Sequence, residues 1–289
     1  MLFDKRILLR AGLALAVALL AGSLRYLAMT RLPVDYDEPV YYNAAQDYAA
    51  ALRSGDWAAL PDADPNYEHP GLFKLLYGAV LAPLPPGEPA PVEPSLVFDP
   101  SILARLYTMR SLSALFGTLN VLLMALASPV AGLLLAVHTA AIRYSAQAYL
   151  EALPMLLSTA SVLAYMKSRR EPNGWLALSA GAVGVTAAPK CARPGAGVGP
   201  AQYPPPPAAR PRAAEGPGRR RLPRTLGLLL GWGALSLVVF AAANPFLWPD
   251  PVGRMGESLA LLTSRAQTEH VQSFEYGGLN LLAWMLTPV

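Results

Sequence analysis

Asp35, Tyr36, Asp37, Glu38 and Pro39 place carboxylates in close succession directly after an apolar stretch. Acidic groups at such a boundary are costly unless they are solvated or used. Used, they can take a proton from an acceptor hydroxyl as a general base, or orient that acceptor. The same residues also suit a helix start, with Asp37 as cap and Glu38 in the first turn, where negative charge meets the positive end of the helix dipole. Both readings stand at this point.

A second constellation is Asn66, Tyr67, Glu68, His69, Pro70 and Gly71, where His69 is either a turn residue before proline or a ligand-binding group. Three arginines flank later apolar blocks: Arg105 and Arg110 at the start of one, Arg143 near the end of another. An arginine in that position either snorkels to the interface or offers its planar fork to a phosphate. Glu151 follows Arg143 closely. His138, in the middle of a block, reads as a polar helix-packing contact, and His270 as a loop residue. No Walker loop, dinucleotide fingerprint, zinc-protease motif or nucleophile elbow occurs. No metal cluster stands out, although the external carboxylates are oxygen ligands that a divalent cation could use.

The elements that must position these groups follow from composition. Of 289 residues, 54% are hydrophobic and 15% charged, against roughly 25% charged in a soluble domain. Such a chain is neither water-soluble in the ordinary sense nor disordered, since disorder needs low hydrophobicity and high net charge. The net charge of +4 does not point to nucleic acid, because Lys and Arg cluster beside apolar blocks, as membrane orientation requires. Cys191 is the single cysteine, which excludes a disulfide framework within the chain.

The pattern therefore predicts an all-α, polytopic transmembrane bundle, with amphipathic juxtamembrane helices in a long first external loop. Lys5, Arg6 and Arg10 precede the first span at 11–24 and place the N-terminus in the cytoplasm. The acidic region 29–102 lies outside and carries a surface helix over 38–52, ended by Gly55, Asp56 and Trp57. The apolar stretch 71–84 is short of the roughly 20 residues a span needs and contains Lys74, so it reads as juxtamembrane. Further spans follow at 103–127, 130–149 and 152–166, the last closed by Lys167, Arg169 and Arg170. Counting crossings puts that basic loop inside only if 71–84 does not cross. By the same count Asp37 and Glu151 share the outer side.

A span at 174–188 completes an N-terminal catalytic-type domain, 1–188. Residues 189–224 then change character, reading PKCARPGAGVGPAQYPPPPAARPRAAEGPGRRRLPR. Proline breaks helices at about 3 kcal/mol, so no span forms there. Yet Lys190 belongs outside and the following arginines inside. Ala, Pro, Arg and Gly are also what GC-rich DNA encodes out of frame, and two compensating frame errors would explain the missing crossing. The remainder, 225–289, holds another span at 225–243, a polar loop or surface helix at 255–275 and an apolar start at 277–289, as in a C-terminally truncated chain.

The order DEPVYYNAAQDYAAALRSGDW, EHPGLFKLLYGAVL, RLYTMRSLSALFGTLNVLLMAL, YSAQAYLEALP and GVTAAPK resembles the C-class glycosyltransferases. More narrowly, it resembles the protein O-mannosyltransferase and aminoarabinose transferase group, glycosyltransferase family 39. The likeness covers about residues 5–190 and resumes at NPFLWPDP. It implies Asp37 as catalytic base or acceptor-binding carboxylate, with Glu38 beside it, and Glu151 as the acidic residue of the second external loop. Lys190 would meet the donor phosphate, and Gly71 replaces the second proline of the family's His-Pro-Pro turn.

The expectation is thus an inverting transferase of the cell membrane, working at its external face. It would move a sugar from a polyprenyl-phosphate donor to a glycan, lipid or protein acceptor, with Asp37 and Glu38 catalytic. Glu68, His69, Arg105, Arg110, Arg143, Glu151 and Lys190 would bind substrate, with no resident cofactor implied. The alternatives are a polytopic transporter, which would carry broken helices or ionisable groups near the bilayer midplane, and a non-catalytic relic.

Overall fold

A computed structural model describes residues 5–63, 69, 71–91, 98–169, 174–187 and 221–266. The stretches around Glu68 and Lys190, most of 189–224 and the apolar start at 277–289 lie outside the described residues. Among the described residues the chain is all-helical.

Helix α1, Lys5–Arg31, and helix α4, Pro100–Ala127, are long and apolar enough to cross a membrane. They pack antiparallel, Arg110 of α4 meeting the end of α1 and Thr118 meeting Gly22. Between them come α2, Glu38–Ser54, a 3-10 turn at Trp57–Asp62, and α3, Leu72–Leu81. Gly55 caps α2 at φ 71°, a left-handed conformation that glycine alone adopts without strain. The Asp56 side chain then accepts the amides of Ala58 and Ala59 and starts the 3-10 turn.

Helix α2 is not a lone surface helix: Tyr41, Tyr42, Ala45, Tyr48 and Ala49 are buried against α3 and its neighbours. The small residues let the two backbones approach. A Cβ on Gly78 would lie 2.6 Å from Tyr48 Cβ and 3.0 Å from the Ala45 carbonyl oxygen. Gly78→Ala is therefore expected to push α2 off α3, destabilising the fold by about 1–3 kcal/mol. A lowered midpoint in a detergent melting experiment monitored by size-exclusion fluorescence checks this; an unchanged midpoint would mean that the crossing yields.

The block at 130–149, expected as one span, is two helices: α5, Pro129–Val137, and α6, Thr139–Ala146. The cause lies at His138, whose backbone is extended and whose Nδ1 accepts the Ala141 amide at 3.2 Å, capping α6. His138 is thus a helix-starting residue, exposed rather than packed between helices. Helix α7, Ala152–Ser168, and α8, Trp175–Ala187, form an antiparallel hairpin joined by Ser161 and Ser179. Helix α9, Arg221–Ala242, begins four residues before the expected apolar block. It runs parallel to α8: Ser236 Oγ donates to the Ala180 carbonyl at 2.9 Å, and further along both helices Gly184 faces Val239.

After α9, Asn244 Oδ1 accepts the Gly71 amide at 3.2 Å, tying this region to the start of α3. Helix α10, Pro251–Ala266, is docked by Arg254, which reaches Asp62 at 2.8 Å and the Pro61 carbonyl. The polar stretch after 255 is thus helical as far as Ala266.

The core is apolar, but it encloses four charged side chains and leaves many large apolar ones outside. Arg25, Glu38, Lys74 and Arg110 are at most 2% exposed, while Leu19, Leu27, Leu115, Leu134, Leu230 and Leu237 stand outside. Arg25 bonds Ser145 Oγ at 2.8 Å across a contact that Gly117 leaves room for.

Candidate functional site

The carboxylates sit where the end of α1, the start of α2 and the loop after α6 converge. What fixes them is Glu38, which is fully buried. Its Oε1 accepts Arg110 Nε and the Ala148 amide, both at 2.7 Å. Its Oε2 accepts Arg110 Nη2 at 2.6 Å and the Asp35 amide at 2.9 Å. Arg110 spends its other donors on the carbonyls of Met29, Leu32 and Pro33 at 2.8–3.0 Å. All five N–H groups of a guanidinium are then used, and both faces of the pair are sealed.

This corrects two expectations. Glu38 is not available to a substrate, and Arg110 has no donor left for a phosphate; the two form the scaffold that holds loop 32–37 in place. Arg105 is engaged in part: its Nη1 donates to the Ser101 carbonyl at 2.9 Å and its Nη2 to the Pro85 and Pro86 carbonyls at 3.1 and 3.2 Å, sewing the proline-rich loop to α4, while its buried Nε has no hydrogen-bond partner. Burying Glu38 or Arg110 without its partner would cost several kcal/mol, so their pairing explains their place.

Asp37 occupies the cap position of α2, yet its side chain makes no cap hydrogen bond. The helix-start reading therefore does not account for its carboxylate, which is half-buried beside Tyr149. Asp35 is engaged differently. Arg143 Nη2 donates to it at 3.1 Å, and the Tyr149 hydroxyl donates to it as well. Burial alone would raise the Asp35 carboxyl, but the bonds from Tyr149, from Arg143 and from the Tyr36 backbone outweigh it and hold the group below the ordinary carboxylate range. Burial, followed by the bond to Asp35 and the charges of Asp35 and Asp37, pushes the Tyr149 phenol up.

The sign of this coupling is testable. A depressed folded pKa stabilises above the ordinary value of about 3.9 and the contribution disappears as pH falls through the folded one. Tyr149→Phe removes one bond to the carboxylate, so Asp35 should protonate at higher pH than in the wild type. Infrared titration of its carboxyl band reads the shift; an unmoved titration would mean that the phenol contributes nothing.

Aromatic rings floor the cluster. Tyr149 meets Tyr144 edge-on at 5.5 Å and Tyr41 at 6.5 Å, and His69 meets Tyr41 at 6.3 Å. Tyr77, below them, donates to the Tyr149 carbonyl at 2.7 Å. Burial and the nearby charges of Glu38 and Glu151 hold its phenol far above the ordinary range despite the bond to Ser113. Glu151 precedes α7, half-buried, on this same end of the bundle. His69, Asp37, Arg143 and Glu151 are thus grouped around Tyr41, Tyr144 and Tyr149, while Glu68 and Lys190 fall outside the described residues.

Sequence reasoning missed Tyr149 and the engagement of Asp35. One aromatic residue in YSAQAYLE carries no signal of its own; its partner is more than a hundred positions away. Among the described residues no group of His, Cys, Asp and Glu is arranged to hold a metal ion. No family model, curated protein or solved structure matches the chain.

Proposed function

We propose that the chain is a multi-pass glycosyltransferase of the cell membrane that moves a sugar from a polyprenyl-phosphate donor to an acceptor at the external face. One observation carries the reading: the carboxylates Asp35 and Asp37 and the incompletely engaged cation Arg143 share one end of a lipid-suited bundle, on an aromatic floor, held by the buried Glu38–Arg110 pair. The resemblance to family 39 in motif order agrees with this arrangement.

The two apolar helices α1 and α4 and the outward-facing leucines are what a bilayer would cover. With the basic N-terminus inside, the end that carries Asp37 and Glu151 is external. Helices α8 and α9 then point outward together, which requires a return crossing between them that the sequence 188–220 contains no apolar run to make. That supports the frame-error reading of the segment.

In the reaction, the acceptor oxygen attacks the anomeric carbon as its proton passes to the Asp37 carboxylate. The bond from that carbon to the phosphate oxygen breaks, and its electron pair leaves with polyprenyl phosphate. Arg143 is the cation placed to stabilise that departing charge. Asp35, whose carboxyl Tyr149 and Arg143 hold below the ordinary range, serves to hold Arg143.

The break at His138 favours a second reading, since a discontinuous helix in mid-block is a feature of transporters. Purified full-length protein in sealed liposomes, given a polyprenyl-phosphate sugar and an acceptor, separates the two. Transfer releases polyprenyl phosphate and forms a new glycosidic bond. Movement of sugar or lipid across the bilayer without that bond would identify a transporter.

A further inference from the structure

Arg25 is the second buried arginine of the bundle, and its situation is the opposite of that of Arg110. It lies in α1, six positions before the end of that helix, and is 1% exposed. Its Nε donates to Ser145 Oγ at 2.8 Å and its Nη1 to the Ala21 carbonyl of its own helix at 3.2 Å. Among the described residues it makes no ion pair, and three of a guanidinium's five donors have no acceptor. A charge buried in that condition is kept at a cost to stability. An ionisable group inside a spanning segment is also a mark of function, and the reaction leaves Arg25 unused.

Its contacts point to the use. Ser145 stands in the last turn of α6, two positions after Arg143, and its Oγ donates in turn to the Ala141 carbonyl. Gly117 of α4 permits the approach, since a Cβ there would lie 2.6 Å from Arg25 Nε. Beyond Ser145 the chain runs straight into the carboxylate cluster. Gln147 Nε2 donates to the Pro33 carbonyl, the Ala148 amide to Glu38, and the Tyr149 hydroxyl to Asp35. Those bonds hold the loop after α6 against loop 32–37. Arg25 holds the helix itself, from α1, at the turn that carries Arg143.

We propose that Arg25 is a positioning residue, which acts through Ser145 to fix the last turn of α6 and so sets Arg143 against Asp35. The proposal rests on the glycosyltransferase reading, in which Arg143 is the cation that meets the departing phosphate.

Two variants of the full-length protein in detergent break the contact from opposite sides. Arg25→Met removes the buried charge and orphans neither partner: Ser145 keeps its bond to Ala141, and the Ala21 carbonyl lies inside the α1 helix. Its melting midpoint should equal or exceed that of the wild type. Ser145→Ala leaves the charge buried with one acceptor fewer, and should lower the midpoint by roughly 5 °C.

At the site the two should act alike. As Arg143 slackens, Asp35 loses part of its support, so its infrared carboxyl band should titrate about 0.3–0.7 pH unit higher, the scale of a half-exposed ion pair. The kcat of transfer should fall about tenfold with KM little changed. Because Ser145→Ala keeps the charge of Arg25, a shift in that variant reads placement rather than the field of the charge. An arginine needed only for packing would make activity follow melting in both variants.

A lowered midpoint in Arg25→Met would make the residue a packing element; an unmoved Asp35 band in Ser145→Ala would detach Arg143 from this contact; wild-type kcat in either variant would leave the contact idle. Each of those overturns the proposal. A wild type that transfers no sugar, while midpoints and band behave as expected, sinks the transferase reading and leaves the placement of Arg143 standing.

Discussion

Arg110→Met is expected to cost the folded protein about 3–5 kcal/mol, the usual consequence of removing one partner from a buried ion pair. The reason is specific. Glu38 would stay fully buried with its cation gone, and the carbonyls of Met29, Leu32 and Pro33 would lose their donors together. The end of α1, the start of α2 and the loop at Ala148 would come apart, since each is joined to the others through this pair. Thermal unfolding in detergent, followed by size-exclusion fluorescence, should show little folded variant. The double variant Glu38→Gln with Arg110→Met should recover part of the loss, because it no longer buries a lone charge. A single variant as stable as the wild type would refute the scaffold role and return Arg110 to the substrate.

Asp37→Asn is expected to lower sugar transfer by about 10²- to 10⁴-fold, the range for loss of a positioned general base. Asparagine keeps the shape but cannot accept the acceptor's proton. The Asp37 side chain supplies no cap bond to α2, so loss of a helix cap is not among the effects of the variant, and its melting midpoint, measured beside its activity, distinguishes it from Arg110→Met. Steady-state release of polyprenyl phosphate, with kcat and KM separated, is the readout. The fall belongs in kcat if the carboxylate acts in the transition state; wild-type kcat would reject the assignment.

The parts of this structure set by local physics were legible in the residues. Gly55 ends α2, and the short stretch with Lys74 is a ten-residue helix rather than a long one. The pairing of Glu38 with Arg110 was not, because it joins positions 72 apart in the chain. Either residue alone offers the same sign as a substrate-binding group, so only its burial reveals that its donors and acceptors are spent.

The break between α5 and α6 was hidden for another reason. Val137, His138 and Thr139 contain neither glycine nor proline, the residues that usually interrupt a helix. What interrupts it is a side-chain cap by the imidazole of His138, a local competitor for the backbone amide of Ala141 that hydrophobic periodicity does not register. Asp35 was visible as one acid among several. Its pairing with Arg143 and Tyr149, more than a hundred positions away, is what the sequence does not display.

The central claim, that a single carboxylate base drives direct displacement of polyprenyl phosphate by the acceptor, is tested most directly by the anomeric configuration of the product. Nuclear magnetic resonance of the glycoside made by the purified wild type from a donor of known configuration gives the answer. One displacement inverts the anomeric centre, and inversion is the predicted result. A product of retained configuration would require two displacements, and would contradict the account.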